Sequence, residues 1–148
     1  MNRNLSLLSR PHIALYLALL LFHFAYVLEE IYGRFWIMDK IFGPRWFMIV
    51  NWLLYCVPVA IFYFILIKKR WAYYAGIVYT AVMILNGLVH NLSVIITGHY
   101  FGGFAGNITG LAFIAIGPVL IYHLRKIIIM DSGSSPPKAG RPGMTMQN

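Results

Sequence analysis

Residues 11–31 read PHIALYLALLLFHFAYVLEEI. From His12 to Leu28 the run is almost continuously apolar and carries no acid, Lys or Arg. About 20 such residues suffice for a helix to cross the hydrocarbon of a bilayer. A helix is required, because unpaired backbone in lipid is prohibitive. The run then closes on Glu29 and Glu30. Two carboxylates at the rim of a span are costly unless they have partners. His23 precedes Glu30 by seven residues, two helical turns or about 10 Å.

A secretory signal is the competing reading of this start, because Arg3 and Arg10 precede the apolar stretch. The stretch is longer than a typical signal core. It ends on the Glu pair rather than on a small-x-small cleavage site. It is therefore read as a retained span.

Three further runs have membrane length, residues 46–67, 71–97 and 104–129. The predicted fold is an all-α membrane protein, a bundle of four transmembrane helices occupying residues 1–130. Composition agrees, with 60% hydrophobic and 11% charged residues, where soluble domains carry about a quarter charged. The aromatic content of 16% fits interfacial Trp and Tyr. Cys56 is the only cysteine, so no intrachain disulfide forms, and its mid-span position predicts a small packing residue.

The net charge of +8 does not point to nucleic acid, because the bases gather at helix ends. Arg3, Arg10, Lys68, Lys69, Arg70, Arg125, Lys126, Lys138 and Arg141 share one side of a four-span topology. Only Arg34, Lys40 and Arg45 fall on the other. Nine against three places both termini in the cytoplasm. The first loop, residues 32–45, is predicted to lie amphipathically along the interface. The second is a three-residue basic turn, which makes spans two and three an antiparallel hairpin. Residues 131–148, rich in Ser, Gly and Pro, are predicted to be a disordered cytoplasmic tail. Pro58 and Gly117-Pro118 are predicted to kink the second and fourth helices. Gly102, Gly106 and Gly110, four residues apart, present one small face to another helix. A homodimer through that face is one assembly this spacing allows, and the sequence does not fix the oligomeric state.

Placed by depth, the polar residues gather in one half of the bundle, an asymmetry that points to a cavity open toward the outer face. Glu29, Glu30 and His23 lie toward the outer end of the first span. Asn86 and His90 share a face of the third. Asn51 lies near the outer start of the second, and Asn107 near that of the fourth. His23 and Glu30 share a face, since seven residues turn through about 700°. Tyr26 lies between them, and Glu29 points away toward the first loop.

The segments HFAYVLEE (residues 23–30) and NGLVHNLSVIITGHYFGG (residues 86–103) resemble the HXXEE family of small bacterial membrane proteins. That family carries His-x-x-Glu-Glu on its first helix, a later His, and a Tyr-x-Pro-Gly-like turn before the last helix. Here the histidine stands one turn earlier, at His23, and Tyr26 occupies the motif position. Tyr100-Phe101-Gly102-Gly103 represents the turn without its proline. The resemblance spans most of residues 15–128. It implies Glu29, Glu30, His90 and Tyr100 as site residues, His23 as a displaced partner, and a bacterial inner-membrane location.

The favoured functional reading is a membrane-embedded enzyme performing acid–base chemistry on a lipid-like or isoprenoid substrate. Glu30, His23, His90 and Glu29 are its candidate catalytic residues. Tyr26, Asn51, Asn86, Tyr100 and Asn107 are its candidate substrate contacts. Glu30, His23 and His90 together are also able to hold a divalent metal, although the chain lacks a ligand signature such as HExxH. The alternatives are a small proton- or ion-coupled transporter and a non-catalytic ligand-binding or accessory subunit. Membrane lipids and a hydrophobic small molecule are the expected partners. The chain carries no nucleotide-binding loop and no haem motif.

Overall fold

In the computed structural model of the chain, residues 10–32, 36–98 and 107–133 are described. They form four helices, α1 (Pro11–Tyr32), α2 (Trp36–Leu66), α3 (Arg70–Thr97) and α4 (Asn107–Gly133). Each contains a segment long and apolar enough to cross a bilayer: Pro11–Ile31, Gly43–Leu66, Arg70–Ile96 and Ile108–Met130. The chain is a multi-pass integral membrane protein. Each helix packs on its chain neighbours, and α4 returns to α1, closing a ring. That order leaves α1 and α3 across the diagonal.

Residues 36–42, predicted as interfacial loop, are helical in backbone and lead into α2. Gly43 breaks the helix at φ 68°, ψ 160°, a conformation that glycine adopts without a Cβ clash. Pro44 follows in the first turn of the spanning part, where its missing N–H costs nothing. Beyond it, α2 keeps helical backbone angles through Pro58, and α4 runs unbroken through Pro118. The predicted kinks there leave no break in helical φ/ψ.

The α2–α3 turn ends in two reversed hydrogen bonds. The Lys69 N–H donates to the Phe64 carbonyl at 2.9 Å, and the Lys68 N–H to the Ile65 carbonyl at 3.0 Å. This is a Schellman cap, whose left-handed position usually carries glycine. Here Lys68 occupies it at φ 58°. At the other end of α3, Gly98 at φ 65° makes the simpler αL cap, its N–H donating to the Val94 carbonyl at 2.9 Å.

Helix α4 continues to Gly133, three residues into the segment predicted as disordered. Nothing before Gly133 stops the helix, whereas Pro136 and Pro137 lie just beyond it. The rest of that tail lies outside the described residues.

Lipid does not drive helices together by the hydrophobic effect, so close packing must. The α3–α4 seam shows how. Gly110, Gly117 and Leu124 are spaced seven apart on α4 and share a face. Gly110 lies on Gly87, Gly117 on Ile84, and Leu124 on Gly76. Gly110, predicted to serve a homodimer, is thus occupied by α3 of its own chain. Gly102 and Gly106 lie outside the described residues.

Helix α2 is the loosest member. Only 11% of its span is buried, against 33% for α1. Cys56, predicted to be a packing residue, is exposed on it and faces lipid. Two hydroxyls tie α2 to α1: Tyr55 donates to the Leu20 carbonyl at 3.1 Å, and Tyr16 to the Pro58 carbonyl at 3.3 Å. Tyr16 is fully buried and stacks on Phe62. Because α2 packs lightly, space remains beneath it.

Candidate functional site

The last two turns of α1 aim Tyr26 and Glu30 into the bundle, one turn apart on one face. Both are buried. The Tyr26 hydroxyl donates to Glu30 Oε1. The same hydroxyl lies 2.7 Å from His90 Nε2 on α3. Asn86 Oδ1 stands 3.5 Å away, at the limit of a hydrogen bond. Glu30 and His90 are 3.9 Å apart, so Tyr26 bridges a pair that does not touch directly. The His90 ring meets the Tyr26 ring edge-on, with 5.3 Å between centroids. Phe113 of α4 packs against Tyr26 from the other side.

A phenol has one proton, and two neighbours here compete for it. Only two neutral arrangements satisfy all three groups. In one, protonated Glu30 donates to the Tyr26 oxygen, and Tyr26 donates to His90 Nε2. In the other, Tyr26 donates to the Glu30 carboxylate, and protonated His90 Nε2 donates to the Tyr26 oxygen. The two differ by a shift of protons along the chain, which moves one proton's worth of charge between Glu30 and His90. A proton shift along the cluster therefore leaves its total charge unchanged.

His23 takes a different partner. Its Nδ1 lies 2.9 Å from the Tyr79 hydroxyl, two turns below Glu30 along α1. It shares a face with Glu30, as predicted, but the intervening Tyr26 separates the two. The candidate metal set is thereby divided. Among the described residues, no three His, Cys, Asp or Glu side chains are grouped to hold an ion. Glu30 and His90 alone do not fit a divalent-cation site.

Glu29, half-buried, turns to α4 rather than only toward the first loop. Its Oε2 accepts from the Thr109 hydroxyl at 2.9 Å. Thr109 lies in the first turn of α4, where the helix dipole favours a carboxylate. The structure therefore gives Glu29 a docking role between α1 and α4. Asn51 donates to the Phe47 carbonyl of its own helix at 3.0 Å. Tyr100 and the Asn107 side chain lie outside the described residues.

A cavity of about 500 Å³ opens beneath α2, between α1 and α3. Small-molecule sites are commonly about 300–1,000 Å³. His23, Tyr26, Glu30, Asn51, Tyr79 and Asn86 converge on it within an otherwise apolar wall. His90 stands behind Tyr26 and does not line it. The rim includes Val57 of α2 and Val82 of α3, which are 56% and 55% exposed. In a bilayer those residues face acyl chains, so the cavity communicates sideways with lipid.

Sequence reasoning missed Tyr79 and Thr109, and placed Tyr26 only as a substrate contact. Spacing held part of the signal. Tyr79, Asn86 and His90 fall on one stripe of α3, as Tyr26 and Glu30 do on α1. Nothing local marks Thr109 as the partner of Glu29. The chain matches no family model, no curated protein and no solved structure.

Proposed function

We propose that this protein is a membrane-embedded enzyme that takes a lipid-like or isoprenoid molecule from the bilayer and performs acid–base chemistry on it. The observation that carries the reading is the cavity beneath α2, apolar and open to lipid, with Glu30 and Tyr26 in its wall. Glu30 exchanges a proton with the substrate. Tyr26 passes the proton to or from His90, which serves as its store. Asn86 and Asn51 orient the polar end of the substrate. The resemblance to the HXXEE family supports the same residues, with the Tyr26 hydroxyl standing where the motif has histidine. With the basic end cytoplasmic, the cavity opens to the outer leaflet.

Comparative mass spectrometry of lipid extracts tests this reading. Membranes carrying the wild-type protein are compared with membranes carrying Glu30→Gln at equal folded yield. A conversion that appears with the wild type is expected to fall by about 10²-fold or more in the variant, the usual weight of a general acid or base. A molecule that co-purifies unchanged with both proteins would instead identify a binding subunit.

One observation favours a second reading, a proton-coupled carrier. The inward-facing stripe of α1 bears Tyr16, Tyr26 and Glu30, all buried, and the half-buried His23, and Tyr79 lies against both Tyr16 and His23. Proton-capable groups therefore continue below the cavity. A pH-sensitive dye inside proteoliposomes would report Glu30-dependent proton entry under this reading. An enzyme gives none.

A further inference from the structure

The opposite end of the bundle holds a second cavity, of about 550 Å³. It lies where α1 and α3 begin and α2 and α4 end. Arg10, Lys68 and Lys126 line it, together with His12 and His123. Five nitrogen-bearing side chains from three separate stretches of chain thus surround one space. No carboxylate lines it among the described residues. None of Arg10, Lys68 and Lys126 forms an ion pair with another described residue. Glu29 and Glu30 are at the far end of α1. Cations gathered around one space repel, and an anion bound among them relieves that cost.

Lys68 gives independent support. It sits at φ 58°, the left-handed position of the Schellman cap. A Cβ is strained there, and glycine would relieve it. A lysine at this point aims a charge into the cavity at a cost to the turn.

A groove of about 480 Å³ continues from the cavity along the outer face of α4. The two share Lys126 and Met130. Pro118, Ile121, Tyr122 and Ile129 make the groove mostly apolar, with Arg125 beside Lys126 as a further cation in its wall. A charged cup that runs into an apolar furrow matches one chemistry, a phosphate carried on an acyl chain.

We infer that this end of the bundle is a binding site for an anionic phospholipid, its phosphate among Arg10, Lys68 and Lys126 and an acyl chain along α4. The site is remote from Glu30 and stands whatever that residue does. Free phosphate offers the same charge without the chain, so the test separates the two sources.

The protein in neutral detergent is titrated with dioleoyl phosphatidylglycerol, and adducts are counted by native mass spectrometry. One tight adduct is expected. Dioleoyl phosphatidylcholine should bind at least tenfold more weakly. Each cation removed should weaken phosphatidylglycerol about fivefold, the worth of one Lys or Arg beside an anionic lipid. Lys68→Gly is the sharpest variant, since it relaxes the turn and should resist SDS at least as well as the wild type. Lys126→Gln, at an exposed position, repeats the test without touching the backbone. Unchanged affinity in the Lys68→Gly/Lys126→Gln double variant would overturn the site. Equal binding of phosphatidylcholine would overturn the role of charge. Displacement of the lipid by millimolar inorganic phosphate would reassign the cavity to a free anion.

Discussion

Tyr26→Phe is expected to lower the conversion attributed to Glu30 by about 10²-fold, within the range of a lost general acid–base partner. The ring stays. Its packing against Phe113 and its edge contact with His90 need no hydroxyl. Only the bridge goes, and with it the route between two groups 3.9 Å apart. The same substitution leaves two buried polar groups short of a partner. Such a loss costs about 1–3 kcal/mol. Bonds between membrane helices average about 0.6 kcal/mol, so the low end of that range is expected.

A double-mutant cycle separates the two effects. If the hydroxyl works through Glu30, Tyr26→Phe added to Glu30→Gln should lower conversion no further, since residues of one catalytic unit are not additive. Independent, multiplying losses would mean that Tyr26 contacts the substrate by itself, and the relay would be wrong. His90→Gln supplies the third corner. It removes the proton store while leaving Tyr26 and Glu30 hydrogen-bonded. It is therefore expected to lower conversion with a smaller loss of stability than Tyr26→Phe.

The fold was legible because membrane spans obey one dominant rule. An apolar run of the right length must be helical, so four such runs and three short connections left one architecture. Boundaries were legible only where the chain marks them. Gly98 marks one, and its left-handed cap falls where the glycine stands. Asp131 and Ser132 mark nothing. A helix already running continues through them, and composition alone misread them. The site was legible as a cluster but not as a set of pairs. Depth put Glu30, His90, His23 and Asn86 in one half of the bundle. Which of them touch depends on rotation about the helix axes and on side-chain length, and neither has a local signal. So His23 found Tyr79, Glu29 found Thr109, and Tyr26 came to the centre because its hydroxyl lies between Glu30 and His90. The gathering of polar residues in one half of the bundle pointed to a cavity, but its place beneath α2 was not legible, since it depends on how loosely α2 packs, a property of four helices together.

Gly87 is the residue whose weight the sequence most concealed, and Gly87→Ala is expected to destabilise the bundle by about 3 kcal/mol, the upper part of the range for overpacking. A methyl placed there would stand 2.4 Å from the Gly110 carbonyl oxygen and 3.1 Å from its carbon. Both are backbone atoms. No rotamer change relieves the clash, so α3 and α4 must separate. Gly110→Ala makes a useful contrast across the same contact. Its nearest obstacle is the Asn91 side-chain nitrogen at 2.8 Å, and the backbone of Gly87 is no closer than 3.2 Å. That amide can rotate away, giving up its bond to the Gly87 carbonyl. About 1 kcal/mol is expected, one net hydrogen bond. Unfolding in mixed SDS micelles ranks the two variants directly, and equal tolerance of alanine at both positions would contradict the close approach of these helices. The separation also has a chemical consequence. Asn86 and His90 flank Gly87 on α3, and Thr109 precedes Gly110 on α4. Moving the helices apart shifts at least one of them relative to α1, which holds both Tyr26 and Glu29, so a glycine that touches neither group bears on the His90–Tyr26 or the Thr109–Glu29 bond.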